Sequence, residues 1–138
     1  MNNQTKIPAI STSKLIKTFE VKSSRIPVIK DVTATIWQGE FVVVTGPSGC
    51  GKSTLLHVLL GLEPPTQGTV SFFGQDLYSQ LDEDGRTELR KKNVGMVYQQ
   101  PNWIKALTVL ENVMVALRIN GETDEVARKK SQEDLQMV

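Results

Sequence analysis

Apolar positions recur along this chain at two spacings, and the change from one to the other predicts the elements. Ala9 to Phe19 alternates loosely, as a strand does, and a polar turn at Lys22–Arg25 follows. Val28 to Trp37 repeats the period of two more cleanly, with Val32, Ala34 and Ile36 set against Thr33, Thr35 and Trp37, the pattern of a half-buried strand. Gly39-Glu40 then turns the chain into Phe41–Val44, a continuously apolar and mostly β-branched run that reads as a parallel strand covered on both faces. Short strands are predicted again over Thr69–Phe73, closed by Gly74, and over Val94–Tyr98.

Helical spacing appears between these runs. Lys52 to Leu60 predicts a helix, with Gly61 placed to cap its C-terminus and Pro64-Pro65 barring continuation. Asp82 to Lys92 is charged and predicts a surface helix that Gly85 weakens. Thr108 and Glu111 have capping-box spacing, which opens a helix running to about Ile119 and stopping at Gly121. A last charged helix is predicted from about Asp124, with no terminator before Val138. Strands alternating with helices give an α/β class, in which the earliest strands have the character of a small antiparallel flanking sheet.

Composition narrows the class without naming a function. A chain of 138 residues, 39% hydrophobic and 22% charged, is an ordinary globular sequence with room for one domain. Its formal net charge of +1 argues against a strongly basic nucleic-acid surface, so no nucleic-acid partner is expected. Cys50, the sole cysteine, cannot form an internal disulfide. The first fourteen residues lack the apolar core of a signal peptide, and no stretch approaches the ~18 apolar residues of a membrane span. A cytoplasmic location is expected, with any membrane role coming through a partner.

The chemistry lies between Phe41 and Thr54. Gly46-x-x-x-x-Gly51-Lys52-Ser53 has the phosphate-binding loop pattern, preceded by an apolar run and followed by a helix. Glycines at 46, 49 and 51 allow backbone conformations that turn successive N–H groups inward around phosphate oxygens, across Pro47, Ser48 and Cys50. The helix starting near Lys52 adds the positive end of its dipole. The Lys52 ammonium is predicted to reach the β- and γ-phosphates, and the Ser53 hydroxyl to ligate Mg²⁺, with Thr54 donating on the α-phosphate side. A nucleoside triphosphate is the expected ligand. Cys50 reads as a small residue tolerated in the loop, or as a thiol lowered in pKa by the helix terminus. His57 lacks a second histidine for a metal site, and packing or a hydrogen bond is expected for it.

Several separated segments carry a family resemblance: LIKTF, IKDVTATIWQGEFVVVTGPSGCGKSTLLHVLLGLEPPTQGTV, VGMVYQQ and LTVLENV. Together they resemble the N-terminal part of an ABC transporter ATP-binding subunit, and the stretch from Phe72 to Gln99 is similar to the lipoprotein-release and macrolide-export branch. The resemblance runs from about Leu15 to Val138. It implies a P-loop NTPase core, a mostly parallel sheet with helices, plus a small antiparallel β subdomain. On that reading, residues 1–138 form one incomplete nucleotide-binding domain: a polar lead over 1–8, the β subdomain and P-loop core over 9–100, and the start of a helical subdomain over 101–138.

The resemblance also implies ATP and Mg²⁺ as cofactors and assigns further residues. Phe19 falls where the family stacks an aromatic on adenine, here keeping the π-face of the usual tyrosine without its hydroxyl. Gln99, or Gln100 if the register slips by one, corresponds to the glutamine whose oxygen approaches Mg²⁺ and the attacking water. Pro101–Leu107, with Trp103 and Ile104, would face a membrane-spanning transporter subunit at the inner face of the cell membrane. A second nucleotide-binding subunit would complete a dimer.

These 138 residues contain no LSGGQ-type signature, no apolar run ending in Asp-Glu and no switch histidine. Without the base and the opposing half-site, little or no ATP hydrolysis is expected from them alone. An open apolar strand edge predicts poor solubility. A fragment of a longer protein is the simplest reading. Two alternatives are a P-loop nucleotide kinase, against which stand the strand-forming residues ahead of the loop and the VYQQ and LTVLENV segments, and a non-catalytic nucleotide-binding fragment.

Overall fold

A long, irregular hairpin opens the computed structural model, which describes residues 7–99 and 102–137. Strand β1 spans Ile10–Val21 and pairs antiparallel with β2, Ser24–Ile36, across a turn at Lys22 and Ser23. The predicted boundaries were narrower at the turn, because Lys22 takes a left-handed conformation (φ 55) that lets the strands run almost to the bend. The ladder is broken three times, between Thr12 and Leu15, Leu15 and Lys17, and Lys17 and Thr18. Side chains repair the first break. The Thr12 hydroxyl donates to Val32 O (3.1 Å) and accepts from Ala34 N–H (3.0 Å), while Thr33 Oγ1 accepts from Lys14 N–H (2.9 Å). Across the last break Ile29 faces Lys17 and Pro27 faces Thr18, so Val28 is the extra residue of a bulge.

Strand β3, Gln67–Phe72, lies on the other side of β1, also antiparallel, and β4, Gln75–Asp76, completes a sheet of order β2-β1-β3-β4. The β3–β4 hairpin turns on Phe73 (φ 47) and Gly74 (φ 81), two consecutive left-handed residues that match the twist of a tight hairpin. Leu15, Ile29, Val70, Phe72 and Leu77 are buried, and burying each side chain of that size stabilises by roughly 1.5–3 kcal/mol. Beyond β4 the Asp76 carboxylate accepts N–H bonds from Tyr78 (2.9 Å) and Ser79 (2.8 Å). Desolvation pushes that carboxyl up, but the bonds from Ser79 and Tyr78 outweigh it and hold it below its ordinary value.

Helix α1 spans Lys52–Leu59, and Gly61 (φ 71) ends it as predicted, with Leu62 N–H reaching back to His57 O (2.9 Å). The Tyr78 hydroxyl bridges two carbonyl oxygens at this end, Val58 (2.9 Å) and Glu63 (2.7 Å). His57 is exposed, which corrects the packing offered as one expectation for it, because it falls on the outer face of the last turn. There a basic residue complements the helix dipole.

Two apolar runs, Phe41–Val44 expected as a parallel strand and Val94–Tyr98 as a short strand, differ from prediction. Phe41–Val44 and Val94–Tyr98 have no ladder pairing among the described residues, and Phe41 and Val97 are 93% and 97% exposed. Apolar, β-branched composition expresses fit to a pleated surface, but a strand exists only where a neighbour supplies its hydrogen bonds. The observed sheet is antiparallel and built from the other strands.

Two compact units make up the chain, Met1–Glu88 and Leu89–Val138, their boundary falling inside α2, Glu83–Asn93. Gly85 is tolerated there because it sits in the first turn, where its N–H is taken by the Asp82 carboxylate (2.8 Å). The second unit contains α3, Val109–Ile119, and α4, Asp124–Leu135, packed through buried Met114, Ala127 and Ser131. The expected capping box is present. Thr108 Oγ1 accepts from Glu111 N–H (3.2 Å) and Glu111 Oε2 accepts from Thr108 N–H (2.8 Å). These bonds from the Thr108 backbone and hydroxyl hold the Glu111 carboxyl below its ordinary value. Helix α4 ends at Leu135, short of the run to the chain end that its charge pattern implied.

Candidate functional site

The loop Gly46–Gly51 owes its shape to what supports it. Gly51 is the N-cap of α1 in a left-handed conformation (φ 98), and a Cβ added there would lie 2.6 Å from Val28 Cγ1 and 3.1 Å from Val28 O. The bulge in β2 thus pushes its backbone against the start of the helix, and only glycine fits between them. A Cβ on Gly46 would lie 2.8 Å from Cys50 Sγ, so the two arms of the loop also approach closely. A cleft of about 180 Å³ beside the loop is lined by Val28, Lys30, Thr45, Cys50, Gly51 and Lys52.

Helix α1 is capped differently from α3 and α4. Thr108 and Thr123 side chains cap those two, whereas α1 has no side-chain cap and no acidic residue in its first turn. The first N–H groups of a helix have no intrahelical acceptors and carry about half a positive charge between them. Lys52 adds a full one. Its ammonium folds into the loop, donating to Gly46 O (2.9 Å) and Pro47 O (2.8 Å), with Cys50 Sγ at 3.7 Å. Pro47, Ser48, Gly49, Cys50 and Ser53 are exposed, and Thr54 is half-buried. Uncapped donors and one ammonium therefore lie at the start of a helix whose first turn carries Ser53 and Thr54 and no carboxylate, a donor set suited to a polyphosphate. No group of three or more His, Cys, Asp or Glu side chains suited to a metal occurs among the described residues.

Phe19 is half-buried near the end of β1, in the same unit as the loop, and one face of its ring carries the Lys17 ammonium, 4.8 Å from the centroid. Lys17 itself is buried, which an alternating strand pattern does not announce. Gln99 belongs to the second unit, exposed at a bend that ends the unpaired Val94–Tyr98 segment. Gln100 and Pro101 lie outside the described residues, as do residues 1–6 of the polar lead and Val138. Trp103 and Ile104 are 53% and 46% exposed.

One residue that sequence reasoning passed over shapes this second region. Asn112 Oδ1 accepts from Ile104 N–H (2.8 Å), and its Nδ2 donates to the carbonyls of Thr108 (2.9 Å), Leu107 (3.1 Å) and Ile104 (3.2 Å). It clasps the exposed 102–108 segment to the start of α3. An asparagine in a first turn is common, so only these bonds reveal it. Asn112→Ala is expected to weaken the second unit by roughly 1–3 kcal/mol and to speed hydrogen exchange at the Ile104 amide. Unchanged exchange there would show that the clasp does not hold the loop.

A glycine loop braced by a β bulge and opening an uncapped helix defines a phosphate-binding-loop protein of the α/β class. Residues 29–138 match the ABC transporter family model, and the chain belongs to that family as part of an ATP-binding domain. It is 37% identical over 129 residues to the lipoprotein-releasing system ATP-binding protein LolD of Legionella pneumophila strain Paris, covering 94% of this chain and 56% of the relative. LolD of Alcanivorax borkumensis is 37% identical over 139 residues, covering 100% of this chain and 59% of the relative. Among solved structures, the ATP-binding cassette MJ0796, a dimer in a post-hydrolysis state bound to ADP and Pi, superimposes with a TM-score of 0.83 at 37% identity. That superposition covers 93% of this chain and 56% of the cassette. The chain thus spans a little over half the length of the relatives it matches.

Proposed function

We propose that this chain is the nucleotide-binding part of an ATP-binding subunit of an ABC transporter, close to the lipoprotein-release type. Residues Gly46–Thr54 hold the phosphates of ATP: the amides of the loop and the first turn of α1 cradle them, and Lys52 neutralises the β- and γ-phosphate charge. Ser53 and the phosphates would hold Mg²⁺, which would supply charge neutralisation at the transferring phosphate. Phe19 would stack on adenine, and Gln99 would be the glutamine that, as the family resemblance implies, serves Mg²⁺ and the attacking water. The Pro101–Leu107 segment would meet a membrane-spanning partner, and a second nucleotide-binding subunit would face the bound ATP. No helix among the described residues is long and apolar enough to cross a membrane. Coupling to transport would run through that partner, at the cytoplasmic face.

The observation that carries this reading is α1, the one helix among α1, α3 and α4 without a side-chain cap, opening from a glycine loop into which its own lysine folds. Calorimetric titration of the folded chain with MgATP and MgADP is expected to show one site of micromolar affinity. No heat of binding from either nucleotide would overturn the assignment.

A further inference from the structure

Lys17 is placed where an exposed lysine is expected and is instead only 7% exposed. Its ammonium has three partners: the Glu63 carboxylate, Pro64 O at 2.7 Å, and the face of Phe19 at 4.8 Å. Glu63 and Pro64 belong to the turn that follows α1, the helix opened by the phosphate loop. Lys17 also faces Ile29 across the ladder, immediately beside the Val28 bulge that braces Gly51. One buried cation therefore joins the aromatic ring, the far end of α1 and the strand position supporting its near end.

From this we infer that Lys17 is a positioning residue for the nucleotide base, acting through Phe19. The inference rests on the reading of Phe19 as the adenine-stacking ring. A phenyl ring on a strand near a hairpin end has rotamer freedom that stacking would have to remove. The ammonium covers one face, draws on the ring's π density and leaves the other face as the stacking platform. Because the cation is itself fixed by Glu63 and Pro64 O, the ring is ordered before the base arrives, which strengthens binding by cutting its entropic penalty. Nothing in this arrangement touches the phosphates.

The test separates base from phosphate. Affinities of the full chain for MgATP and for Mg-tripolyphosphate are measured by calorimetry on the parent, Phe19→Ala, Lys17→Met and Lys17→Arg. Lys17→Met keeps the side chain's apolar length, and it is expected to weaken MgATP roughly three- to tenfold, the scale of ordering one freed side chain, with tripolyphosphate unchanged. Lys17→Arg should restore most of the loss, and Phe19→Ala combined with Lys17→Met should be no weaker than Phe19→Ala alone. Equal losses on both ligands, or none on MgATP, would overturn the role of Lys17. If Phe19→Ala leaves MgATP binding intact, the stacking reading itself falls, a separate result. Should circular dichroism show Lys17→Met unfolded, Glu63→Ala, which removes one of the two oxygens that fix the ammonium and leaves the ammonium itself, is expected to show a two- to threefold loss confined to MgATP, and its absence would overturn the inference.

Discussion

Lys52→Ala is expected to weaken MgATP binding by about 100-fold or more while leaving the fold nearly unchanged. The ammonium already sits inside the loop, held by Gly46 O and Pro47 O, so a polyphosphate meets a charge in place rather than one to be gathered from solvent. A hydrogen bond to a charged group contributes roughly 1.5–3 kcal/mol, and two of them account for a factor of that size. Thermal melts give an independent reading. At a nucleotide concentration about 100 times the parent's Kd, binding stabilises by about 2.7 kcal/mol, whereas a 100-fold weaker variant retains only about 0.4 kcal/mol. Equal nucleotide-induced shifts for parent and variant would exclude Lys52 from the site. The carbonyls freed by the substitution belong to exposed residues and can turn to water, so the melt without nucleotide should move by less than about 1 kcal/mol.

Local chemistry was legible in this sequence wherever one residue sets the backbone. The glycine loop, the stop at Gly61, the Thr108–Glu111 box and the helix from Asp124 all follow from short-range rules. The β1–β2 alternation was legible too, but not its three ladder breaks. The first two lie where Lys14 and Asp31 adopt left-handed conformations (φ 48 and 55) that non-glycine residues seldom take and no local signal marks, and the third is the bulge at Val28. The bulge at Val28 matters most, since it braces Gly51. The two-residue β4 was missed because its pairing follows from the turn at Phe73-Gly74 rather than from its own composition. Phe41–Val44 and Val94–Tyr98 show the opposite failure, in which propensity was read correctly and pairing, which is not local, was not. Lys17 and Asn112 escaped notice because burial and multiple hydrogen bonding of a polar side chain depend on distant chain segments. The loop could therefore be named from sequence, while the residues that brace it and the 102–108 segment could not.

Gly68→Ala should be far more disruptive than Gly74→Ala, an alanine at another left-handed glycine of the same sheet. Gly68 (φ 84) lies at the start of β3 against the first break in β1, and a Cβ there would sit 2.5 Å from Ser13 O and closer still to Lys14 O. Both obstacles are backbone, fixed by a ladder in which Ser13 pairs with Thr69 and Ile16 with Gln67, so neither can yield as a flexible side chain would. A left-handed alanine costs about 1–3 kcal/mol by itself, and moving the ladder adds a comparable amount. The total, roughly 3–5 kcal/mol, is a large share of the 5–15 kcal/mol that holds a typical domain. In a unit this size it corresponds to a fall in Tm of roughly 15–25 °C. Gly74→Ala provides the comparison: its φ of 81 is nearly the same, but an added Cβ would meet only Ile7 Cγ2, at 3.5 Å. It should lose about 1 kcal/mol, the strain alone. If both variants melted together, collision with β1 would contribute nothing, and the close seating of β3 on the broken stretch of β1 would not be what holds that edge of the sheet. The comparison also reaches the site. The strand that Gly68 presses against carries Lys17 and Phe19, so a repacked Gly68→Ala protein is expected to lose base-dependent affinity before it loses affinity for tripolyphosphate.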